Sequence, residues 1–167
     1  MLGSKINNLT TLTNNNINVP KFTIIKFNEL IPNIEELNNL IESNETKSIK
    51  QQSKILRDYL EKNINKNIKL PKNNTLYAIR SSSNIEDGEH NSFAGQFDTY
   101  LNVDKEDIIN KVILCTKSLY NENVLSYIKE KEISITELQM NIIIQEMVNS
   151  EYSGVLFTSN PQGLLNE

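Results

Sequence analysis

The sequence contains very few of the residues from which metal centres, disulfides and histidine-dependent catalytic sites are built. Among its 167 residues there is one cysteine, Cys115, one histidine, His90, and no tryptophan. A single cysteine excludes an internal disulfide and is typical of a reducing compartment, so we expect a cytoplasmic protein. One histidine without a second histidine or cysteine does not favour a zinc site. The sequence also contains no visible nucleophile elbow, so it does not favour a Ser-His-Asp hydrolase either.

Long apolar runs and an excess of basic charge are also missing from the sequence. The net charge is −4 and the isoelectric point is near 5.2, so no general basic field attracts nucleic acid. The mean hydropathy is −0.43, and no apolar run approaches the ~20 residues of a membrane span. The first residues lack the apolar centre of a secretion signal. We expect one domain by length, with neither nucleic acid nor membrane as a partner.

The most informative stretch runs from Tyr77 to Val103. Its first part is an apolar β-type run that ends at Arg80, and three serines at 81–83 follow. A small-residue segment at 92–96 then leads into a second β-type run. Arginine offers a planar fork of donors that matches phosphate oxygens, while hydroxyls and backbone N–H groups near glycine add neutral donors. This layout predicts a phosphate-binding site.

Hydrophobic periodicity predicts a mixture of helices and strands along the rest of the chain. The predicted helices span 5–12, 28–43, 45–65 and 104–131, and the predicted strands span 22–27, 76–79, 97–103, 139–148 and 152–158. Pro32 is expected in the first turn of its helix, and 120–123 is expected to interrupt or kink the last helix. The two final strands are expected to form an antiparallel hairpin. Lys5, near a helix start, either helps to hold an anion or is a solvated surface residue.

Four segments of the sequence, in order, carry a more specific signal. They are Gly3-Ser-Lys-Ile-Asn-Asn-Leu9, Val19-Pro-Lys-Phe22, Ala78 to Val103, and Ile144-Gln-Glu-Met-Val148 with the following Ser153-Gly-Val-Leu-Phe-Thr-Ser-Asn-Pro161. Together they resemble the N-terminal nucleotide-binding domain of the phosphoenolpyruvate synthase and pyruvate phosphate dikinase family, which also includes rifampicin phosphotransferases. The third segment is the most specific, because it has many matching residues at matching spacing.

The resemblance implies an ATP-grasp-like α+β fold, with a mostly antiparallel sheet and flanking helices. Residues 1–167 would form the leading part of the AMP/ATP-binding domain. The implied activity is transfer of a phosphoryl group from ATP, with Mg²⁺, toward a carrier histidine and then pyruvate. The nucleotide-binding positions that the resemblance implies are Lys5, Arg80, Ser92, Phe93, Ala94, Gly95, Gln96, Gln145, Glu146, Met147 and Val148.

Each group of these positions has an implied role. Lys5 would approach the ATP phosphates, Arg80 would clamp them, and the loop 92–96 would close over them. The segment 145–148 would be a hinge between two lobes. Backbone groups near its second and fourth residues would meet the adenine edge, and Met147 would pack on the adenine face.

The family pattern is not complete within this sequence. Ser4 and Ile6 replace parts of the family's opening glycine motif, and His90 does not match the phosphorylated histidine. Glu86 and Asp87 either shape a turn or bind metal. The Mg²⁺ ligands, the phosphohistidine domain and the pyruvate-binding domain are expected outside residues 1–167, as partners in cis or in trans. No catalytic or metal-binding residue is assigned within the chain.

Three interpretations stay open from the sequence. The chain is the ATP-binding part of a phosphotransferase that resembles phosphoenolpyruvate synthase or rifampicin phosphotransferase, and it is inactive by itself. Alternatively, it is a non-catalytic nucleotide-binding or interaction module. The third interpretation is an α+β domain without a ligand.

Overall fold

A four-stranded antiparallel sheet forms the centre of the molecule. The computed structural model describes residues 3–73, 75–85, 87–88, 91–92 and 97–157. The sheet has the order β1-β6-β2-β5, and a separate two-stranded ladder consists of β3 and β4. All pairs are antiparallel, which confirms the expected α+β class and the mostly antiparallel sheet. The strands are β1 (Phe22–Ile25), β2 (Tyr77–Ser83), β3 (Asp87–Gly88), β4 (Asn91–Ser92), β5 (Thr99–Val103) and β6 (Met140–Glu146).

Helices fill the connections between these strands. The α-helices of the described ranges are α1 (Ser4–Asn14), α2 (Phe27–Leu30), α3 (Ile34–Ser43), α4 (Ile49–Asn63), α5 (Ile108–Lys117) and α6 (Glu122–Glu130), and 3₁₀ turns span Lys105–Asp107, Ser118–Tyr120 and Ile135–Glu137. The helix predicted at the start of the chain is confirmed as α1. Within the ranges given above, no helix has both the length and the apolar character that crossing a membrane requires.

The two central strands sort their side chains onto two faces. β2 and β6 pair over seven residues without a break in register. Successive side chains point to opposite faces of a strand, and directly opposed residues share a face. Ile79, Ile142 and Ile144 therefore lie on one face, where they belong to the main apolar core. Ala78 and Ile143 lie on the other face and are buried outside that core.

The main core lies between the first of these faces, the core face, and the helices. Leu60 of α4, Val112 of α5 and Ile128 of α6 are almost wholly buried in it. Burial of such a side chain contributes about 1.5–3 kcal/mol relative to exposure. Helices α4, α5 and α6 therefore stabilise the core face of the sheet, and its opposite face makes other contacts.

Helix α4 begins later than the sequence predicted. A capping box at Ser48 and Gln51 fixes its first turn, in which each side chain bonds the other residue's backbone N–H. Just before it, the Gln52 amide donates to the carbonyl oxygens of Asn44 and Glu45 at 3.0 and 2.8 Å. These bonds stabilise a turn where the sequence predicted the first helical residues.

The helix predicted over 28–43 is two helices, α2 and α3, with Pro32 in the break between them. Proline has no N–H for a helical bond and disfavours helical backbone in the residue before it. Ile31 accordingly has an extended conformation, with φ −120° and ψ 83°. The placement of Pro32 in a first helical turn was therefore wrong. The strand predicted over 22–27 also ends early, because Phe27 already belongs to α2.

The long helix predicted over 104–131 is interrupted, as the polar residues at 120–123 had indicated. α5 and α6 are separate, with a 3₁₀ turn at Ser118–Tyr120 between them. Leu119 and Tyr120 are buried in that turn. The break thus allows both helices to pack on the core.

The predicted terminal hairpin is wrong within the described residues. β6 forms as predicted, but residues 152–157 are not in a strand. Leu156 is 90% exposed and Tyr152 is 91% exposed. An apolar run becomes a strand only when a neighbouring strand satisfies its backbone groups, and the described residues provide no such partner here.

The start of α1 packs closely on β2. Gly3 precedes the helix with a φ of 77°, and a Cβ atom there would lie 2.5 Å from Ser82 Oγ and 2.8 Å from the Ser83 carbonyl oxygen. A positive φ and this close approach both require glycine. The contact fixes α1 on the face opposite the main core, because Ser82 alternates with its core-facing neighbours.

We predict that Ser48→Ala lowers the free energy of unfolding by about 1 kcal/mol, the usual cost of losing an N-cap side chain. Urea denaturation would measure the difference. Ser126→Ala is the matched control, since Ser126 is exposed within α6 and its hydroxyl donates only to the Glu122 carbonyl oxygen of the same helix. Equal stability of the Ser48 variant and the wild type would contradict the capping assignment.

We predict a larger loss, about 1–3 kcal/mol, for Gly3→Ala, because the new methyl group is overpacked and the backbone is strained. The same denaturation measurement checks it. Gly154→Ala serves as control, since nothing lies within 4 Å of a Cβ placed at Gly154. If both alanine variants unfold at the same urea concentration, the close packing of α1 on β2 is wrong.

Candidate functional site

The face of the sheet opposite the main core carries the arginine that the sequence singled out. We call it the arginine face, and by register and alternation its members are Phe22, Ile24, Ala78, Arg80, Ser82, Thr99, Asn141, Ile143 and Gln145. Arg80 lies near its middle, directly opposite Ile143 on one side and Thr99 on the other. The strand continues beyond Arg80 to Ser83, so Arg80 is within β2 and not at the strand end that the sequence predicted.

Arg80 is held by a hydrogen bond across the sheet. Its Nη1 donates to the Gln145 Oε1 atom at 3.1 Å. Gln145 is only 7% exposed and stands opposite Ala78, whose small side chain leaves room for the guanidinium to reach along the face. Two residues that the sequence assigned to different parts of the site, the phosphate clamp and the hinge, are therefore in direct contact.

The three serines after Arg80 continue the strand, which the sequence predicted to end before them. All three are strand residues and are at most 1% exposed. Ser81 and Ser83 point to the core face by alternation, and the Ser83 hydroxyl donates to the Gln139 carbonyl oxygen at 3.0 Å. Only Ser82 shares the face of Arg80, and Gly3 covers it.

The start of α1 lies at the end of the arginine face that is further from Gln145. Gly3 contacts Ser82, two positions beyond Arg80 on the same face. Lys5 is in the first turn of this helix and is partly buried. The N-terminus of a helix carries unsatisfied N–H groups and a partial positive charge that favour anions. The fold thus brings the helix start that carries Lys5 to the face of Arg80.

The predicted hinge, residues 145–148, begins in the last two residues of β6 and continues beyond the strand. The Glu146 N–H donates to the Lys21 carbonyl oxygen at 2.8 Å, and the Met147 N–H donates to the Leu76 carbonyl oxygen at 2.9 Å. Val148 lies beyond these bonds, and its side chain is 59% exposed. The backbone is therefore fixed up to Met147 by strands on both sides.

The Glu146 side chain points away from the arginine face. Its Oε1 accepts a hydrogen bond from the Asn73 amide at 2.5 Å, and Tyr77 lies opposite it on the core face. Burial, together with the negative charge of Glu146, raises the pKa of Tyr77. The Tyr77 hydroxyl donates to the Asn73 carbonyl oxygen at 2.8 Å, so these three residues close the core face beside the hinge.

An open pocket of about 580 Å³ lies at this end of the sheet. Glu146 and Tyr77 line it together with the segment 19–23, which includes the Val19-Pro20 motif. Arg80 is not among its lining residues. The pocket therefore adjoins the hinge at Glu146 and does not reach Arg80.

The small-residue loop is largely outside the described residues. Phe93, Ala94, Gly95 and Gln96 belong to that part of the chain, and so does the side chain of Ser92. The backbone of Ser92 pairs with Asp87 in the β3–β4 ladder.

Asp98, which follows the loop, forms hydrogen bonds through its N–H, its carbonyl oxygen and its carboxylate. Its N–H donates to the Ser118 Oγ at 3.3 Å, and its carbonyl oxygen accepts from the Cys115 Sγ at 3.1 Å. Its carboxylate accepts from the Tyr100 hydroxyl at 3.0 Å. Burial first, and then this bond and the carboxylate charge, raise the pKa of Tyr100 to about 12. The chain between the loop and β5 is thus anchored to α5 and the turn after it.

Thr99 is a candidate that sequence reasoning missed. It is exposed and lies directly opposite Arg80 on the arginine face. A hydroxyl at that position is a donor and an acceptor for a ligand on this face. Only the pairing register of β2 and β5 identifies Thr99 as a neighbour of Arg80, and the sequence pattern did not determine that register.

A family model matches the whole of this chain, and known proteins match half of it or more. Residues 1–167 match the family described as pyruvate phosphate dikinase, AMP/ATP-binding domain. An uncharacterized phosphotransferase of Bacillus subtilis, YvkC, is 37% identical over 163 residues, which are 96% of this chain and 20% of that protein. A probable phosphoenolpyruvate synthase of Archaeoglobus fulgidus is 45% identical over 85 residues, 50% of this chain and 11% of that protein. A rifampicin phosphotransferase of Bacillus cereus is 42% identical over 86 residues, 51% of this chain and 10% of that protein.

The chain spans a fifth or less of the length of these three relatives. The family match nevertheless covers every residue of it, and it agrees with the resemblance that the sequence segments carry. The chain therefore belongs to the pyruvate phosphate dikinase family, as an AMP/ATP-binding domain sequence of that family.

Proposed function

We propose that this chain is the ATP-binding part of a phosphoenolpyruvate synthase-like phosphotransferase, and that the nucleotide lies along the arginine face. The observation that carries the proposal is the position of Arg80 in the middle of that face, between the hinge at one end and the start of α1 at the other. Strand residues rise about 3.3 Å each, so the distance along β2 from Tyr77 to Ser82 is about 17 Å. An extended nucleotide fits that span.

In this proposal the phosphates lie at the end near α1. The Arg80 guanidinium supplies several N–H donors in a planar fork that matches phosphate oxygens. Lys5 and the backbone N–H groups at the start of α1 add positive potential. Thr99, opposite Arg80, supplies a hydroxyl, and the loop 92–96 closes over the phosphates.

The adenine lies at the hinge end of the face. Gln145 is on the arginine face, and continued alternation directs the Met147 side chain to the same side. A purine requires an apolar surface and a few fixed polar groups at its edge. Met147 provides the surface, while backbone groups of Glu146 and Val148 meet the adenine edge.

The proposed fold is ATP-grasp-like, in which a second lobe covers the nucleotide. We assign the Mg²⁺ ligands to residues outside this chain, as the resemblance to the family implies. When bound, Mg²⁺ would neutralise charge on the phosphates during transfer. The carrier histidine and the pyruvate site likewise belong to other domains.

A second acceptor is supported by one comparison. The similarity to a rifampicin phosphotransferase, 42% over about half of this chain, nearly equals the similarity to the phosphoenolpyruvate synthase. The ATP-binding half-site would be the same in both cases. Only domains outside this chain would distinguish pyruvate from an antibiotic.

We predict that the isolated chain binds ATP weakly, because one lobe of the site is missing, and that Arg80→Ala lowers the affinity by about tenfold or more. Each hydrogen bond from a charged donor is worth about 1.5–3 kcal/mol, and tenfold corresponds to about 1.4 kcal/mol. Calorimetric titration at low ionic strength would measure both affinities.

Arg57→Ala is the matched control for this titration, since Arg57 lies on α4, on the other side of the sheet. It removes the same charge and should leave ATP affinity unchanged. Equal affinity of the Arg80 variant and the wild type would remove Arg80 from the site. A wild-type chain that does not bind ATP would contradict the proposed function.

We also predict that the purified chain forms no phosphoenolpyruvate from ATP, Mg²⁺ and pyruvate. The reason is that the groups that hold the metal and carry the phosphoryl group are assigned to other domains. ³¹P NMR of the reaction mixture over several hours would check this. Accumulation of phosphoenolpyruvate would show that the chain contains a complete active site.

A further inference from the structure

Gln145 has an unusual position for a polar side chain. It lies in the central strand β6 directly after three isoleucines, is 7% exposed, and its Oε1 accepts the bond from Arg80 Nη1 at 3.1 Å. A buried amide oxygen needs a hydrogen-bond partner, and a guanidinium is a strong one because it is charged. The pair therefore satisfies Gln145 and at the same time fixes the direction of the arginine.

The neighbours of the pair explain why Arg80 points toward Gln145. Ala78 is directly opposite Gln145 and two residues before Arg80 on the same face. A larger residue at that position would fill the space through which the arginine reaches along the strand. Phe22 is opposite Gln145 on its other side, so the amide lies between an aromatic ring and a methyl group.

We propose that Gln145 is a positioning residue for phosphate binding, and that its amide oxygen holds the Arg80 guanidinium in one orientation on the arginine face, so that the remaining N–H donors of the guanidinium meet the nucleotide phosphates. This inference rests on the proposed function of the arginine face. It assigns Gln145 a role different from contact with adenine. An arginine side chain loses considerable rotamer entropy when it becomes fixed. Because the bond to Gln145 fixes Arg80 in the free protein, less of this entropy is lost when the ligand binds.

The chemistry of the acceptor supports this role. A guanidinium has five N–H donors, and the bond to Gln145 uses one of them. A neutral amide orients the arginine and leaves its charge uncompensated. A carboxylate at the same position would orient it equally well, but would oppose the anionic phosphates. A glutamine is therefore the suitable acceptor at this position.

The test uses Gln145→Met, which keeps the length of the side chain and removes the acceptor. We expect ATP affinity to fall by about tenfold, the usual value of one hydrogen bond to a charged group, and adenosine affinity to stay unchanged. NMR titration of the full 167-residue chain with ATP and with adenosine would measure both. In an Arg80→Ala background, the same substitution should cause no additional loss of ATP affinity.

A second measurement does not require nucleotide. In ¹⁵N spectra of the arginine side chains, the Arg80 guanidinium signals of the wild type should show restricted rotation, which Gln145→Met should abolish. The Arg57 signals provide the internal reference. Gln139→Met is the matched control, because Gln139 is exposed and precedes β6, and it should change neither the spectra nor the affinities.

Several outcomes would overturn the positioning role. Equal losses of ATP and adenosine affinity in Gln145→Met would make Gln145 an adenine contact or a residue needed only for folding. Unchanged ATP affinity, or an undiminished loss in the Arg80→Ala background, would also contradict it.

Gln145→Glu should bind ATP more weakly than the wild type does. The loss of affinity should be larger for ATP than for AMP, and it should become smaller with added salt. Failure of the proposed function is a separate result, namely a wild-type chain without ATP binding.

Discussion

The pairing of β2 with β6 is the constraint on which both the core and the site depend. The register places Ile79, Ile142 and Ile144 on the core face and, by the same alternation, Arg80 and Gln145 on the other. A slip of one residue would exchange the two faces. The arginine would then enter an apolar interior, where an unpaired charge is very costly. The stability of the sheet and the position of the arginine on the face opposite the core therefore both depend on the register of this one strand pair.

The arginine face shows how a sheet can bury polar side chains without loss of stability. Asn141 is 4% exposed, and its Oδ1 accepts the Phe27 N–H at 3.0 Å, which ties the start of α2 to the sheet. Gln145, four residues further along the same face, accepts from Arg80. Each buried amide has a defined partner, as polar groups removed from water require. One of the two pairs joins elements of the fold, and the other joins the two parts of the proposed nucleotide site.

The sequence predicted the class of fold and a strand leading to the arginine, because both follow from local pattern. It did not predict that Ser81 to Ser83 continue the strand, since serines are more often found in turns and only the pairing with β6 makes them strand residues. The break at Pro32 could have been read from proline chemistry alone. The contact of Arg80 with Gln145 could not, because it depends on a register between residues far apart in the chain. The polar spacing of Asn141 and Gln145 within an apolar run was the one local sign of a second, different face.

The order of the strands has a consequence for how the chain acquires its structure. β6 is the last of the described strands in sequence but lies between β1 and β2, so neither of these has its inner neighbour until residue 140 and beyond have been synthesised. The bond between Phe27 and Asn141, for example, joins residues 114 positions apart. Such long-range closure slows folding, since the entropy of a large loop must be lost before the contacts form. Until then, a nascent chain on the ribosome exposes the unpaired edges of β1 and β2. Molecular chaperones that shield such edges would bind the chain at that stage.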